Sequence, residues 1–66
     1  MQIKVNGENM SFEKPLTITG LTELLNYDIR LIAVEHNGAI PSKDEYGSIV
    51  LNDGDTVEIV TFMGGG

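Results

Sequence analysis

The sequence contains no cysteine, so neither disulfide bonds nor a thiolate metal site can stabilise the fold. A small secreted domain without disulfides would be unusual. The N-terminal stretch "MQIKVNGENMSF" lacks the apolar core of a signal peptide, and no apolar run is long enough to span a membrane. We therefore expect a cytoplasmic protein.

Basic residues are also scarce, since four lysines and arginines face ten acidic residues and the formal net charge is −6. This balance argues against nucleic-acid binding, which depends on neutralising phosphates with Lys and Arg. It favours a basic protein surface as the partner, with plain solubility as an equally good explanation.

The length allows one small domain with a modest core. Hydrophobic residues make up 41% of the chain, which is enough for a packed globule. No repeat, linker or low-complexity segment divides it, apart from three glycines at residues 64–66.

The first half predicts a hairpin followed by a helix. "QIKVN" and "MSFEK" alternate in polarity on either side of "NGEN", and Pro15 ends the second strand. "LTITGLTELLNY" has helical spacing, with Leu21, Leu24 and Leu25 on one face. We expect Thr19 or Gly20 to cap this helix, Glu23 to lie in its first turn, and the helix to end near residues 26–28.

The second half predicts strands separated by turns. "LIAVEH" is a strand bounded by Asn37-Gly38, Ala39-Ile40 is a very short strand, "SKDEYG" is a loop or a single helical turn, and "SIVL" is a brief strand or buried loop. "NDGD" is the strongest turn, and "TVEIVTF" is the last strand. We predict an α+β fold in which one helix covers a mixed four- or five-stranded sheet, with the first and last strands adjacent in its middle.

Few side chains are candidates for catalysis. His36 is the single histidine and reads as an exposed strand-end residue rather than a metal ligand. Asp53 and Asp55 flank Gly54 and are better explained by turn formation than by acid–base chemistry. Glu45 and Tyr46 would need a pocket that so short a chain does not supply. We therefore predict that the protein is not an enzyme.

The glycine end offers a different kind of chemistry. A C-terminal carboxylate is ionised at neutral pH and becomes reactive only when activated, for example as an acyl-adenylate. Glycine has no Cβ, and three extended residues reach about 10 Å, so Gly66 could enter a partner's narrow cleft. A frayed terminus would explain the glycines equally well from the tail alone.

Taken together, these segments resemble the β-grasp proteins related to ubiquitin, and most closely the ThiS family of sulfur carriers of thiamin biosynthesis. The similar segments are "MQIKVNGE", "IAVEHNGAI" and "LNDGDTVEIVTFMGGG". The small subunit of molybdopterin synthase is the other near relative by resemblance. A ubiquitin-like interaction module without sulfur chemistry is the alternative from another class.

The resemblance implies a domain at residues 1–63 and a flexible glycine tail at residues 64–66. Gly66 would be adenylated and converted to a thiocarboxylate, while Gly64 and Gly65 would enter the partner's active site. The implied partners are an adenylyltransferase similar to ubiquitin-activating enzyme, which uses ATP, a cysteine desulfurase system as sulfur donor, and thiazole synthase. No cofactor would be bound to the carrier itself.

Strand parity also predicts a surface patch beside the tail. Val57, Ile59, Thr61 and Met63 share the face that fits the core, which leaves Val60 and Phe62 on the opposite face. In ubiquitin-like proteins the two long strands are neighbours, so Ala33 would lie beside Val60. The three residues Ala33, Val60 and Phe62 are our candidate partner-binding patch.

Overall fold

The computed structural model describes residues 1–62, which form a four-stranded mixed sheet with one α-helix. The elements are β1 (Gln2–Val5), β2 (Glu8–Ser11), α1 (Ile18–Leu24), β3 (Ile32–His36) and β4 (Thr56–Thr61), with single-turn 3-10 helices at Ile29–Leu31 and Lys43–Glu45. The strand order is β2-β1-β4-β3, in which β1 pairs antiparallel with β2 and parallel with β4, and β3 pairs antiparallel with β4. The predicted adjacency of the first and last strands is confirmed.

Two Asn-Gly pairs form the tight turns that the sequence predicts. Asn6 and Gly7 have φ angles of 49° and 86°, and Asn37 and Gly38 have 50° and 86°. Positive φ at both central residues is the requirement of the type I′ turn, which matches the twist of a hairpin. After the second turn, however, Ala39 pairs with His36 in an isolated bridge, so the short fifth strand at Ala39-Ile40 does not form.

The core lies between α1 and one face of the sheet. Strand alternation points Ile3 and Val5 of β1 toward it, and β3 and β4 contribute their own alternate residues. The buried hydrophobic residues are Ile3, Val5, Ile18, Leu21, Ile32, Val34, Tyr46, Leu51, Val57 and Ile59.

The helix differs in register from the prediction. Thr17, rather than Thr19 or Gly20, is the N-cap, and its hydroxyl accepts a hydrogen bond from the Gly20 N–H at 3.0 Å. The helix begins at Ile18, and its buried face follows the i, i+3, i+4, i+7 positions counted from there, which are Ile18, Leu21, Thr22 and the half-buried C-cap residue Leu25.

Two predicted helical positions are therefore wrong. Leu24 falls outside the buried stripe and is 57% exposed. Glu23 lies in the last turn, not the first. Thr22 lies in the core instead of Leu24 and is 1% exposed. Its hydroxyl group donates a hydrogen bond to the Thr19 carbonyl at 2.9 Å, so this buried polar group has a partner.

Tyr46 closes the outer edge of β3. In an antiparallel pair, every second residue of a strand forms hydrogen bonds with the partner strand. The Phe62 N–H donates to the Leu31 carbonyl, so in β3 residues 33 and 35 are the ones that bond to β4. The Val34 N–H therefore points away from β4. The Tyr46 hydroxyl accepts that N–H at 3.1 Å, and the side chain is 2% exposed. Tyr46 thus has a structural role at the unpaired edge of the sheet.

Replacing Tyr46 with phenylalanine should lower the free energy of unfolding by about 1–2 kcal/mol, because a buried N–H loses its acceptor. Chemical denaturation measures this change. Tyr27→Phe is the matched control, since Tyr27 is half-buried and its hydroxyl makes no hydrogen bond within residues 1–62. Equal effects from both substitutions would contradict the role assigned to Tyr46.

Candidate functional site

The candidate site lies where the chain leaves the central strand. β4 ends at Thr61, and the Phe62 N–H is fixed to the Leu31 carbonyl at 2.7 Å. Thr61 is exposed, so its predicted place in the core is wrong, although its register partner Ile32 is buried. Met63 and the predicted site residues at 64, 65 and 66 lie outside the described residues.

Beside this point, the face of the sheet opposite the helix carries an apolar patch. Ala33 is the register partner of Val60, and Val60 and Phe62 are each 59% exposed. The structure therefore places the three predicted patch residues on the uncovered face, with Ala33 half-buried. Their role in binding a partner stays a prediction.

One member of this surface was not foreseen. Ile40 is 74% exposed and, together with Ala33, Val34, Glu35, Glu58 and Val60, lines a shallow depression of about 220 Å³. The Asn37-Gly38 turn carries Ile40 back over the outer face of β3. The available sequence signal was a large apolar residue immediately before Pro41 and two residues after that turn. We call Ala33, Ile40, Val60 and Phe62 the outer patch.

Basic groups lie at the Phe62 end of the patch. Lys43 Nζ is 5.7 Å from the centre of the Phe62 ring, a distance at which a cation is attracted to an aromatic face, and it also donates to the Arg30 carbonyl at 3.3 Å. Hydrogen bonds from the Arg30 guanidinium lower the pKa of the Asp28 carboxyl to about 2. The Arg30–Asp28 pair is exposed to solvent, so its contribution to stability is small.

The opposite end of β4 is fixed by a polar cluster around Asp55. His36 Nε2 lies 2.8 Å from Asp55 Oδ2, which also accepts the Asn52 N–H at 2.9 Å, while Asn37 Nδ2 donates to Oδ1 at 3.1 Å. The His36 side chain is 19% exposed and that of Asp55 11%. The prediction of an exposed His36 is wrong, because the ring turns in to pair with Asp55.

These acids are turn-forming groups, as the sequence predicts. Asp53 Oδ1 accepts the Gln2 N–H at 2.7 Å and so ties the turn to β1. Burial raises the pKa of Asp55, but the hydrogen bonds from the Asn52 N–H, His36 and Asn37 outweigh it and hold the pKa below its ordinary value. Across residues 1–62 no three His, Asp or Glu side chains come together in a way that could hold a metal ion.

The arrangement of the sheet, the single helix and the glycine-bearing strand end defines a ubiquitin-like β-grasp protein. It matches the crystal structure of a thiamine biosynthesis protein (ThiS) from Geobacter metallireducens with a TM-score of 0.85, 32% identity and coverage of 100% of both chains. A sequence profile of the ThiS family matches residues 3–66. The chain belongs to the ThiS family.

Two kinds of relatives resemble the chain over most or all of its length. The sulfur carrier protein ThiS of Bacillus subtilis is 34% identical, with 97% of this chain and 98% of the relative covered. A thiazole synthase of Paramagnetospirillum magneticum is 42% identical over all 66 residues, but these cover 20% of that protein. The chain thus spans about a fifth of the length of the thiazole synthases it matches.

No helix within residues 1–62 combines the length and apolar character needed to cross a bilayer. The sequence-based expectation of a cytoplasmic protein stays a prediction.

Asp55→Asn should lower the free energy of unfolding at neutral pH by about 1–2 kcal/mol, because the half-buried cluster loses its charged acceptor. The folded-state pKa of Asp55 is depressed, so its stabilisation is complete above the unfolded pKa of about 3.9 and is lost as the pH falls through the folded pKa. The difference between wild type and variant should therefore shrink below about pH 4. Denaturant titrations at several pH values measure it.

Asp44→Asn is the matched control, because Asp44 is exposed and makes no side-chain hydrogen bond within residues 1–62. A constant difference between wild type and Asp55→Asn from neutral pH to pH values near 2 would contradict the assignment.

Proposed function

We propose that the protein is a sulfur carrier of thiamin biosynthesis whose working group is the carboxylate of Gly66. The observation that carries this proposal is the family match that runs through Gly66, together with the shared fold of the Geobacter ThiS protein over its whole chain. The carrier acts as a protein substrate and is not itself an enzyme.

The chemistry requires activation of an unreactive group. A carboxylate oxygen of Gly66 attacks the α-phosphorus of ATP in the active site of an adenylyltransferase, and pyrophosphate leaves. The terminal sulfur of a persulfide, which a desulfurase forms from cysteine, then attacks the acyl carbon, and AMP departs as the leaving group. A thiol cleaves the resulting acyl disulfide, which releases the thiocarboxylate and joins the two remaining sulfurs in a disulfide. The resulting thiocarboxylate donates its sulfur to thiazole formation.

The glycines suit this chemistry because they lack side chains. Gly64 and Gly65 can follow a narrow channel whose walls a Cβ would touch, and their backbone can adopt dihedral angles closed to other residues. The folded domain, residues 1–63, would stay outside the partner while the tail carries the carboxylate inward. No cofactor is needed on the carrier, since ATP is bound by the partner.

The outer patch is the surface that would dock the partner. Val60 and Phe62 expose large apolar area on the strand that leads to the tail, and such exposure often marks an interface. Docking there would set the distance between the partner's nucleotide and the last glycine.

Thiazole synthase is the second proposed partner. Two thiazole synthases contain a segment 41–42% identical to the whole of this chain, so carrier and synthase sequences occur in one polypeptide. Such a tether would raise the effective concentration of one for the other.

Removal of Gly66 should abolish thiocarboxylate formation while leaving the unfolding transition unchanged. One alanine added after Gly66 should have the same effect, because it displaces the carboxylate by about 3.5 Å. The assay combines the carrier with its adenylyltransferase, ATP and a sulfur source, and intact mass reports the exchange of one oxygen for sulfur. Sulfur gain at the wild-type rate in the truncated variant would refute Gly66 as the carrier.

The same assay separates the alternative functions. A molybdopterin-type carrier would form the thiocarboxylate but deliver it to molybdopterin synthase rather than thiazole synthase. A ubiquitin-like module without sulfur chemistry would gain no sulfur at all.

Phe62→Asp should reduce kcat/KM for adenylation about 10-fold or more, because it places a charge on the docking surface and removes its large exposed aromatic ring. The Phe62 side chain is 59% exposed, so the fold should be retained. Val50→Asp is the matched control, since Val50 is 53% exposed and its backbone pairs with Thr17 at the start of α1, away from the outer patch. Equal kinetics for wild type and Phe62→Asp would remove the outer patch from the proposal.

A further inference from the structure

The outer patch ends in two carboxylates that directly face each other. Along β3 and β4, the register pairs Ala33 with Val60 and, two residues further, Glu35 with Glu58. These residues share the uncovered face of the sheet, where the Cβ atoms of opposite residues lie about 4.5–5.5 Å apart. Both glutamates line the same depression as Ala33, Ile40 and Val60.

This acidic pair is unfavourable for the free protein. Like charges directly opposite each other on a sheet are destabilising. Neither Glu35 nor Glu58 lies within ion-pair distance of a basic group in residues 1–62, where the contacts of that kind are Arg30–Asp28 and His36–Asp55. Lys4 shares the uncovered face on the neighbouring strand, as the register partner of Thr56, without pairing with either carboxylate. Unlike Asp53 and Asp55, these two carboxylates accept no hydrogen bond from the described chain.

We propose that the adenylating partner places an arginine side chain between Glu35 and Glu58, with its aliphatic part against the outer patch. The inference rests on the proposed function, because it identifies the chemistry of the surface that docks there. A planar guanidinium can donate to two carboxylates at once and is weakly hydrated. Its methylene groups can cover Ala33 and Val60 while the charged end reaches the acidic rim.

Charge complementarity favours this occupant over a second copy of the chain. Each copy carries a formal net charge of −6, so stacking two outer faces would bring acidic surfaces together. A basic partner surface is instead attracted over a distance and held in register by the carboxylate pair.

The test compares wild type with Glu35→Gln, Glu58→Gln and the double variant. Affinity for the adenylyltransferase from the same organism is measured without ATP by calorimetry, at salt concentrations of about 50 mM and about 500 mM. We expect the double variant to bind about 10-fold more weakly at low salt and within about 2-fold of wild type at high salt. Glu13→Gln is the control, because Glu13 is exposed and follows β2 at the opposite edge of the sheet.

Thermal unfolding of the free protein gives an independent readout. Removing the repulsion should raise the Tm of the double variant by about 2 °C, so stability and binding should change in opposite directions. A purely structural role for the two glutamates would lower both together, and that result would overturn the proposal.

The outcomes also separate this inference from the proposed function. Wild-type affinity and salt dependence in the double variant, with Phe62→Asp still impaired, would overturn the arginine contact and leave the docking surface in place. Failure of the carrier function itself would be seen in the sulfur-transfer assay with wild-type protein, a measurement in which neither Glu35 nor Glu58 is changed.

Discussion

A single short helix covers a four-stranded sheet, and this constraint determines which residues can reach a partner. α1 has seven residues and packs on one face, so alternate residues of β3 and β4 on the other face meet solvent within residues 1–62. A half-covered sheet normally carries polar side chains on its open face. Here that face contains Ala33, Val60 and Phe62, and the packing of the core does not explain why apolar residues occupy these outward-facing positions.

The central position of β4 connects the core to this surface. Val57 and Ile59 are buried under the helix while Val60 and Phe62 face outward from the same strand. β4 pairs with both β1 and β3, and its two ends are fixed by the Asp55 cluster and by the bond from Phe62 to Leu31. β4 is therefore held on both sides and at both ends, which fixes the position of Phe62, the last described residue, relative to the core.

Local patterns were sufficient for much of this architecture. The Asn-Gly pairs predict their turns because few other residues adopt positive φ, and strand alternation correctly assigns Val57, Ile59 and Val60. The N-cap was missed because Thr17, Thr19 and Gly20 are all acceptable caps. The buried face was missed because Ile18 and Thr22, rather than Leu24, share the covered side of the helix with Leu21.

Contacts between distant residues were not predictable from such patterns. Tyr46 meets Val34 from 12 positions away, and His36 meets Asp55 from 19. Nothing local distinguishes a buried tyrosine at a sheet edge from one in a surface loop. The candidate working group, Gly66, was identified by chemical reasoning about carboxylates and by the family resemblance, because glycine repeats alone fit a frayed terminus equally well.

The acidic residues show why net charge alone left two explanations open. Asp53 and Asp55 accept backbone N–H groups, so their charge is used to hold the last turn. Glu35 and Glu58 oppose each other across the sheet without such bonds in the described chain, and solubility does not require two carboxylates to be placed in register. The positions of the acidic residues therefore distinguish carboxylates that stabilise the last turn from carboxylates that repel each other on the uncovered face of the sheet. The second kind is the better evidence for a basic partner, because a cation placed between the two carboxylates would relieve their repulsion.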